Sequence, residues 1–134
     1  MLLFGAAFAG DSKEGRNKEK AVVLVPLPFE QESDPYAVAS KDVEMWFLFY
    51  ADKDENFVFE FTEKTGAGNL KASFFTDSDT PELETTKKLG DGKSMLISFA
   101  AKVQGNHYIK LTVDDKGSWS GTVKYYIGTP ASAP

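Results

Sequence analysis

The sequence predicts an all-β fold, a jelly-roll-like antiparallel β-sandwich of about eight strands, on three observations. Short runs alternate apolar and polar residues, turn residues separate those runs at regular spacing, and the large side chains are kinds that pleated surfaces accept. The run GNHYIKLTVDDKGSWSGTVKYYI, Gly105 to Ile127, says most. In it His107, Ile109, Leu111 and Val113 alternate with Tyr108, Lys110 and Thr112, and Val123, Tyr125 and Ile127 alternate with Thr122, Lys124 and Tyr126. It reads as a β-hairpin closing the sandwich around the polar turn Lys116-Gly117-Ser118. Eleven Phe, five Tyr and two Trp in 134 residues supply the apolar area. That length fits one domain, expected over residues 21–128, and suffices to bury a two-layer core.

From the N-terminus, MLLFGAAFAG is uncharged and apolar, and its ending Ala7-Phe8-Ala9 matches the small-residue pattern before a secretory cleavage site. Residues 1–9 therefore read as a signal peptide cut before Gly10, and the protein as exported to the periplasm, cell surface or extracellular space. The run is too short to span a bilayer. The basic stretch that ordinarily precedes such a run is missing, which reads as a start upstream of Met1; the competing reading is a short buried strand. Residues 10–20, charged and without periodicity, read as a flexible spacer.

Eight strands follow. Val22 to Phe29 belongs at a sheet edge, because Pro26 and Pro28 cannot donate ladder hydrogen bonds. Val43 to Tyr50 is apolar on both sides after Glu44, which suits a central strand or one whose outer face is covered. Asn56 to Glu63 has the clearest alternation, Phe57, Phe59 and Phe61 against Val58, Glu60 and Thr62. Asn69 to Thr76, Leu83 to Leu89, Ser94 to Ala101, His107 to Asp114 and Gly121 to Ile127 complete the set, divided by Gly- and Asp-containing turns. The Pro/Ala/Ser-rich end, residues 129–134, reads as disordered.

Charge and composition exclude several functions. The net charge is −5, and beyond residue 20 there are eleven basic against seventeen acidic residues, a balance that repels nucleic acid and anionic lipid alike. No cysteine is present, which removes disulfides, thiolate metal sites and a lipidated Cys. His107 is the lone histidine, and its strand position puts it on the face of Ile109 and Leu111, where packing rather than catalysis is expected. No pair of carboxylates sits where one would be selectively raised, so the chain is read as no enzyme.

From Val43 to Ile127 the order of features resembles the bacterial pre-peptidase C-terminal domain. WFLFY, a polar turn and NFVFEFTE are similar to its opening pair of strands, and GNHYIKLTV with GSWSGTVKYYI to its closing pair. The resemblance implies a jelly-roll-like sandwich on an exported protein. That family commonly carries an Asp-rich segment in a middle strand, whereas GNLKASFFTDSD has acids only after the strand, so the resemblance carries over no calcium site. No peptidase precedes the module, which is expected to act free-standing.

Two sets of candidate residues remain. Asp52, Asp54, Asn56 and Glu63 occupy positions 1, 3, 5 and 12 of a calcium-loop pattern, but Phe57 stands where that loop needs Gly. A looser calcium site would bring Asp52, Asp54 and Glu55 to Asp77 and Asp79 of another loop; otherwise no cofactor is expected. Trp46, Tyr50, Trp119 and Tyr126 are candidate partner- or glycan-binding rings, Trp119 foremost because GSWSG places it in a turn. The leading reading is a non-catalytic structural or protein-interaction module of the cell envelope or of a surface assembly such as an appendage or filament sheath. The alternative is a carbohydrate- or polymer-binding module of a secreted system.

Overall fold

The computed structural model describes residues 15–24, 36–76 and 78–128. The expected signal peptide, the first part of the spacer, most of the first expected strand, Asp77 and the C-terminal tail lie outside these residues. Nine strands are described: β1 (Val22–Val23), β2 (Tyr36–Val38), β3 (Met45–Ala51), β4 (Asn56–Ala67), β5 (Asn69–Phe75), β6 (Leu83–Lys88), β7 (Ser94–Ala100), β8 (Gly105–Val113) and β9 (Ser118–Ile127). They form a β-sandwich, one sheet in the order β1-β3-β8-β5-β6 and the other β2-β9-β4-β7. β1 runs parallel to β3 and the other pairings are antiparallel.

The alternation read from the sequence decides which side of each strand faces the interior. Met45, Phe47, Phe49 and Ala51 of β3, Phe57, Phe59 and Phe61 of β4, and Met95, Ile97 and Phe99 of β7 are buried, as are Ile109, Leu111 and Val113 of β8. Rings from the two sheets meet in the middle: Phe49 lies 4.8 Å from Phe59, and Phe74 stacks on Phe99 at 5.0 Å, centroid to centroid. Such contacts add to area burial and also fix relative orientation.

The largest correction concerns the closing run. β8 and β9 do not form a hairpin; they lie in different sheets, and the turn between them crosses the sandwich. Period-two alternation gives each strand a buried face but is identical for a hairpin and for an arch whose buried faces look at each other. Among the described strands, only β5 and β6 are consecutive strands paired in one sheet. β4 and β5 are joined across the sandwich by Gly68 alone, at φ 73°, with Asp114 against the place a side chain would fill. The Asp114 carboxylate accepts from Asn69 N at 3.2 Å and Asn69 Nδ2 at 3.0 Å, tying the β8–β9 arch to the start of β5.

Other strands sit close to their expected places. β2 was not foreseen: three residues are too few to show a period, and its pairing with β9 supplies the order. β4 runs four residues past Glu63, through a bulge between Glu63 and Thr65. Gly15 to Lys20, the described end of the expected spacer, is held on the sheet rather than free of it. Gly15 O accepts from Trp46 N at 2.6 Å, Arg16 Nη1 donates to Ala37 O and Glu44 O at 3.0 and 3.1 Å, and Asn17 caps a 3-10 turn over Lys18–Lys20. From this segment Lys18 reaches over Tyr108 of β8, next to the outward Leu48 of β3.

Two positions test the packing. At Gly121 a Cβ would fall on the Thr62 carbonyl and the Trp119 ring, so Gly121→Ala should lower the unfolding free energy by about 3 kcal/mol in urea melts. Tyr125 is buried, donates to Leu24 O at 3.3 Å, and has its phenol pushed up from 10.0 to about 12, by burial first and the Glu55 charge second. Because the unfolded phenol ionises earlier, folding should lose about 2 kcal/mol as pH rises from 10 towards 12. Tyr125→Phe should remove that part of the alkaline loss.

Candidate functional site

The four expected ring residues do not form one site. Trp119 is not in a turn: β9 begins at Ser118, and the indole points into the core, 2% exposed. Gly-Ser on either side suggested a turn because small polar residues are turn formers, yet here they flank a ring that needs room. Trp46 and Tyr50 share the outer face of the five-stranded sheet, while Tyr126 lies on the outer face of the four-stranded sheet, on the opposite side of the protein.

On the five-stranded sheet, register aligns Trp46, Lys110, Ser73 and Glu84 across four strands. The row is closed on itself. Trp46 Nε1 donates to Glu44 Oε1 at 2.9 Å, its ring lies 5.4 Å from Phe75, and the Lys110 ammonium sits 5.6 Å from Trp46 and 5.5 Å from Phe75. Ser73 donates to Glu84 at 2.9 Å and Lys71 pairs with the same carboxylate at 3.3 Å, which together hold the Glu84 carboxyl below its ordinary value. Beside this row Lys18 lies over Tyr108 at 4.8 Å. Tyr50, at the strand end, is 53% exposed and accepts from Gln104 Nε2 at 2.6 Å.

The four-stranded sheet presents a different surface. Its outer positions carry hydroxyls, Ser94 and Ser98 on β7, Thr62 on β4, Ser120 and Thr122 on β9, and one row of opposite charges, Lys124 of β9 beside Glu60 of β4, which in turn faces Leu96 of β7. Among them, Leu96 of β7 is 65% exposed and Tyr126 of β9 43%. Val58 pairs with both Tyr126 and Ser98, so Leu96, Val58 and Tyr126 lie close together on a diagonal across the sheet. Tyr126 was legible as a candidate. Leu96 was missed although its alternation with Met95 and Ile97 marks it as outward; a single outward Leu is ordinary until the strand is known to be an edge.

Of the acidic candidates, the described ones are spread over separate parts of the fold. Among the described residues no three carboxylate or imidazole groups come together. Glu55 Oε1 accepts from Asp52 N at 2.9 Å, closing the β3–β4 turn, and Asp54 N donates to Ala101 O at 2.8 Å. Glu63 is at the other end of β4, buried, and accepts from Gly90 N at 3.1 Å. Asp79 is exposed in the β5–β6 loop, and Asp77 lies outside the described residues. His107 is fully buried, stacked 5.3 Å from Phe49, with Nδ1 3.0 Å from Gly105 O and no partner for Nε2 among the described residues. Among the described residues no hydroxyl is hydrogen-bonded to that imidazole.

The fold is similar to the pre-peptidase C-terminal domain of a collagenase from Bacillus anthracis, with a TM-score of 0.53 and 16% identity over 81% of this chain and 100% of that one. It is also similar to a CBM4 structure (TM-score 0.46, 9% identity, 72% and 67% covered) and to the carbohydrate-binding module CBM36 in complex with calcium and xylotriose (0.43, 14%, 76% and 85%). The first likeness is one of fold, and it agrees with the resemblance carried by the opening and closing strand pairs. The other two, more distant, add nothing to it. No family model matches the sequence, nor does any curated protein. No helix among the described residues is long and apolar enough to cross a membrane.

Trp119→Ala should lower the unfolding free energy by about 3–5 kcal/mol in urea melts, and Trp119→Phe by much less, because the phenyl ring retains most of the buried surface.

Proposed function

We propose that this chain is a non-catalytic, exported β-sandwich module that docks a protein of the cell envelope or of a surface assembly. The docking surface is the outer face of the four-stranded sheet beside β7. What carries the reading is the exposed Leu96 on an uncharged outer strand, near Val58 and the half-exposed Tyr126, on a face of Ser and Thr whose charges, Glu60 and Lys124, are paired in the row of Leu96. Tyr is among the residues enriched at interface centres, within a polar rim, and Leu96 adds exposed apolar area beside it. The A-x-A ending at Ala7-Phe8-Ala9 supports export.

Absence of catalysis belongs to the same reading. The lone His107 is enclosed by Phe49 and Phe99, and the carboxylates Glu55 and Glu63 are occupied by backbone amides. A second reading, a carbohydrate or other polymer, is favoured by Trp46 and Tyr50 sharing one face of β3, with Tyr50 exposed. Trp119 cannot join Tyr126 in such a platform, because it lies inside the core.

Immobilised full-length protein should retain a specific envelope protein, and Leu96→Lys or Tyr126→Ser should cut that retention about tenfold without lowering the melting temperature. Retention equal to wild type in both variants would end the docking reading. Glycan-array binding lost in Tyr50→Ala and kept in Leu96→Lys would establish the polymer reading in its place.

A further inference from the structure

We infer that the partner seated on β7 is a second copy of this chain, with the two β7 edges paired antiparallel so that two four-stranded sheets become one of eight. This rests on the docking reading above and specifies its occupant. A sheet edge is a row of unpaired backbone donors and acceptors, and folded proteins blunt edges that are not used. Three of the four edges among the described residues are blunted. β1 is two residues long, β2 is three, and β6 carries Glu84, Lys87 and Lys88 within six residues. β7 is the exception: Ser-Met-Leu-Ile-Ser-Phe-Ala, seven residues with no charge and no proline, paired to β4 without a shift from Ala100 to Ser94.

The sequence of that edge is complementary to itself. A two-fold axis at Ile97 sets Leu96 against Ser98 of the second copy and Ser94 against its Ala100, all on the solvent face. The two Leu96 side chains then lie on the close diagonal. On the inner face Met95 meets Phe99 of the second copy, continuing the apolar layer of both cores. Just outside the strand, exposed Lys93 faces Ala101 of the second copy. Exposed Lys102 faces its Gly92, next to its exposed Asp91, so no cation opposes a cation and each Lys102 has a carboxylate nearby. Eight strands is within the range of ordinary open sheets. The isologous contact closes on itself and leaves no further β7 edge for growth.

Sedimentation equilibrium of the full chain tests the pairing, up to about 0.5 mM because an edge contact is smaller than a standard interface. A monomer–dimer equilibrium is expected. Leu96→Lys, which faces Glu60 of its own chain, should weaken it about tenfold, since it replaces the apolar contact of the two Leu96 side chains on the diagonal by two hydrated cations. Leu96 is exposed and Lys there faces Glu60, so unchanged circular dichroism and melting temperature will show that the variant folds. A wild-type chain that stays monomeric throughout, or a dimer indifferent to Leu96→Lys, overturns the self-pairing. If that monomer still retains an envelope protein in a Leu96-dependent way, the docking reading stands and only its occupant is wrong.

Discussion

The sandwich is organised around the ring of Phe49. From the middle of β3 it touches five other rings: Phe57 and Phe59 of β4, Phe99 of β7, Tyr125 of β9 and, within its own sheet, His107 of β8. Four of those five belong to the opposing sheet, so this one side chain sets how the sheets lie on each other. Edge-to-face and tilted contacts prefer particular angles, which aliphatic packing does not. A change at Phe49 is therefore felt by three strands of the facing sheet at once.

That arrangement explains two features that would otherwise look like faults. The Nε2 of His107 and Nε1 of Trp119 are buried with no partner among the described residues. Each such atom costs about 1–3 kcal/mol. Both rings fill places where flat, large side chains close the core: His107 stacks on Phe49 and meets Phe99 edge-on, and Trp119 lies against the bare backbone of Gly121. Gly121 is small for that reason, with Thr62 O on its other side. The polar atom is the residue of a shape requirement, and a functional role for either ring has no geometry behind it.

How much of this was legible follows from what alternation encodes. Strand positions and inward residues were readable, because Phe57, Phe59 and Phe61 or His107, Ile109 and Leu111 declare a buried face locally. Sheet membership was not, because whether β9 folds back on β8 or crosses over depends on partners far along the chain. β9 in fact pairs with β4, some sixty residues earlier, and with β2. The same gap hid the candidate surface. Tyr126 could be named from its position outside the alternating set, but Leu96 acquires meaning only once β7 is an edge, and Trp119 loses its meaning once Ser118 starts a strand.

The contrast between the two outer faces points to where a partner would bind. On the five-stranded sheet, the ring of Trp46 is engaged by Glu44 and Lys110, the Glu84 carboxylate by Ser73 and Lys71, and the ring of Tyr108 by Lys18. A ligand there must displace contacts of similar strength, so it gains little. On the four-stranded sheet, Leu96 is exposed beside Glu60 of β4, and among the described strands the β7 backbone has one side unpaired. Docking there removes apolar surface from water and completes a hydrogen-bond row without breaking one. The aromatic face is the more conspicuous in sequence, yet the plainer face offers more free energy to a partner.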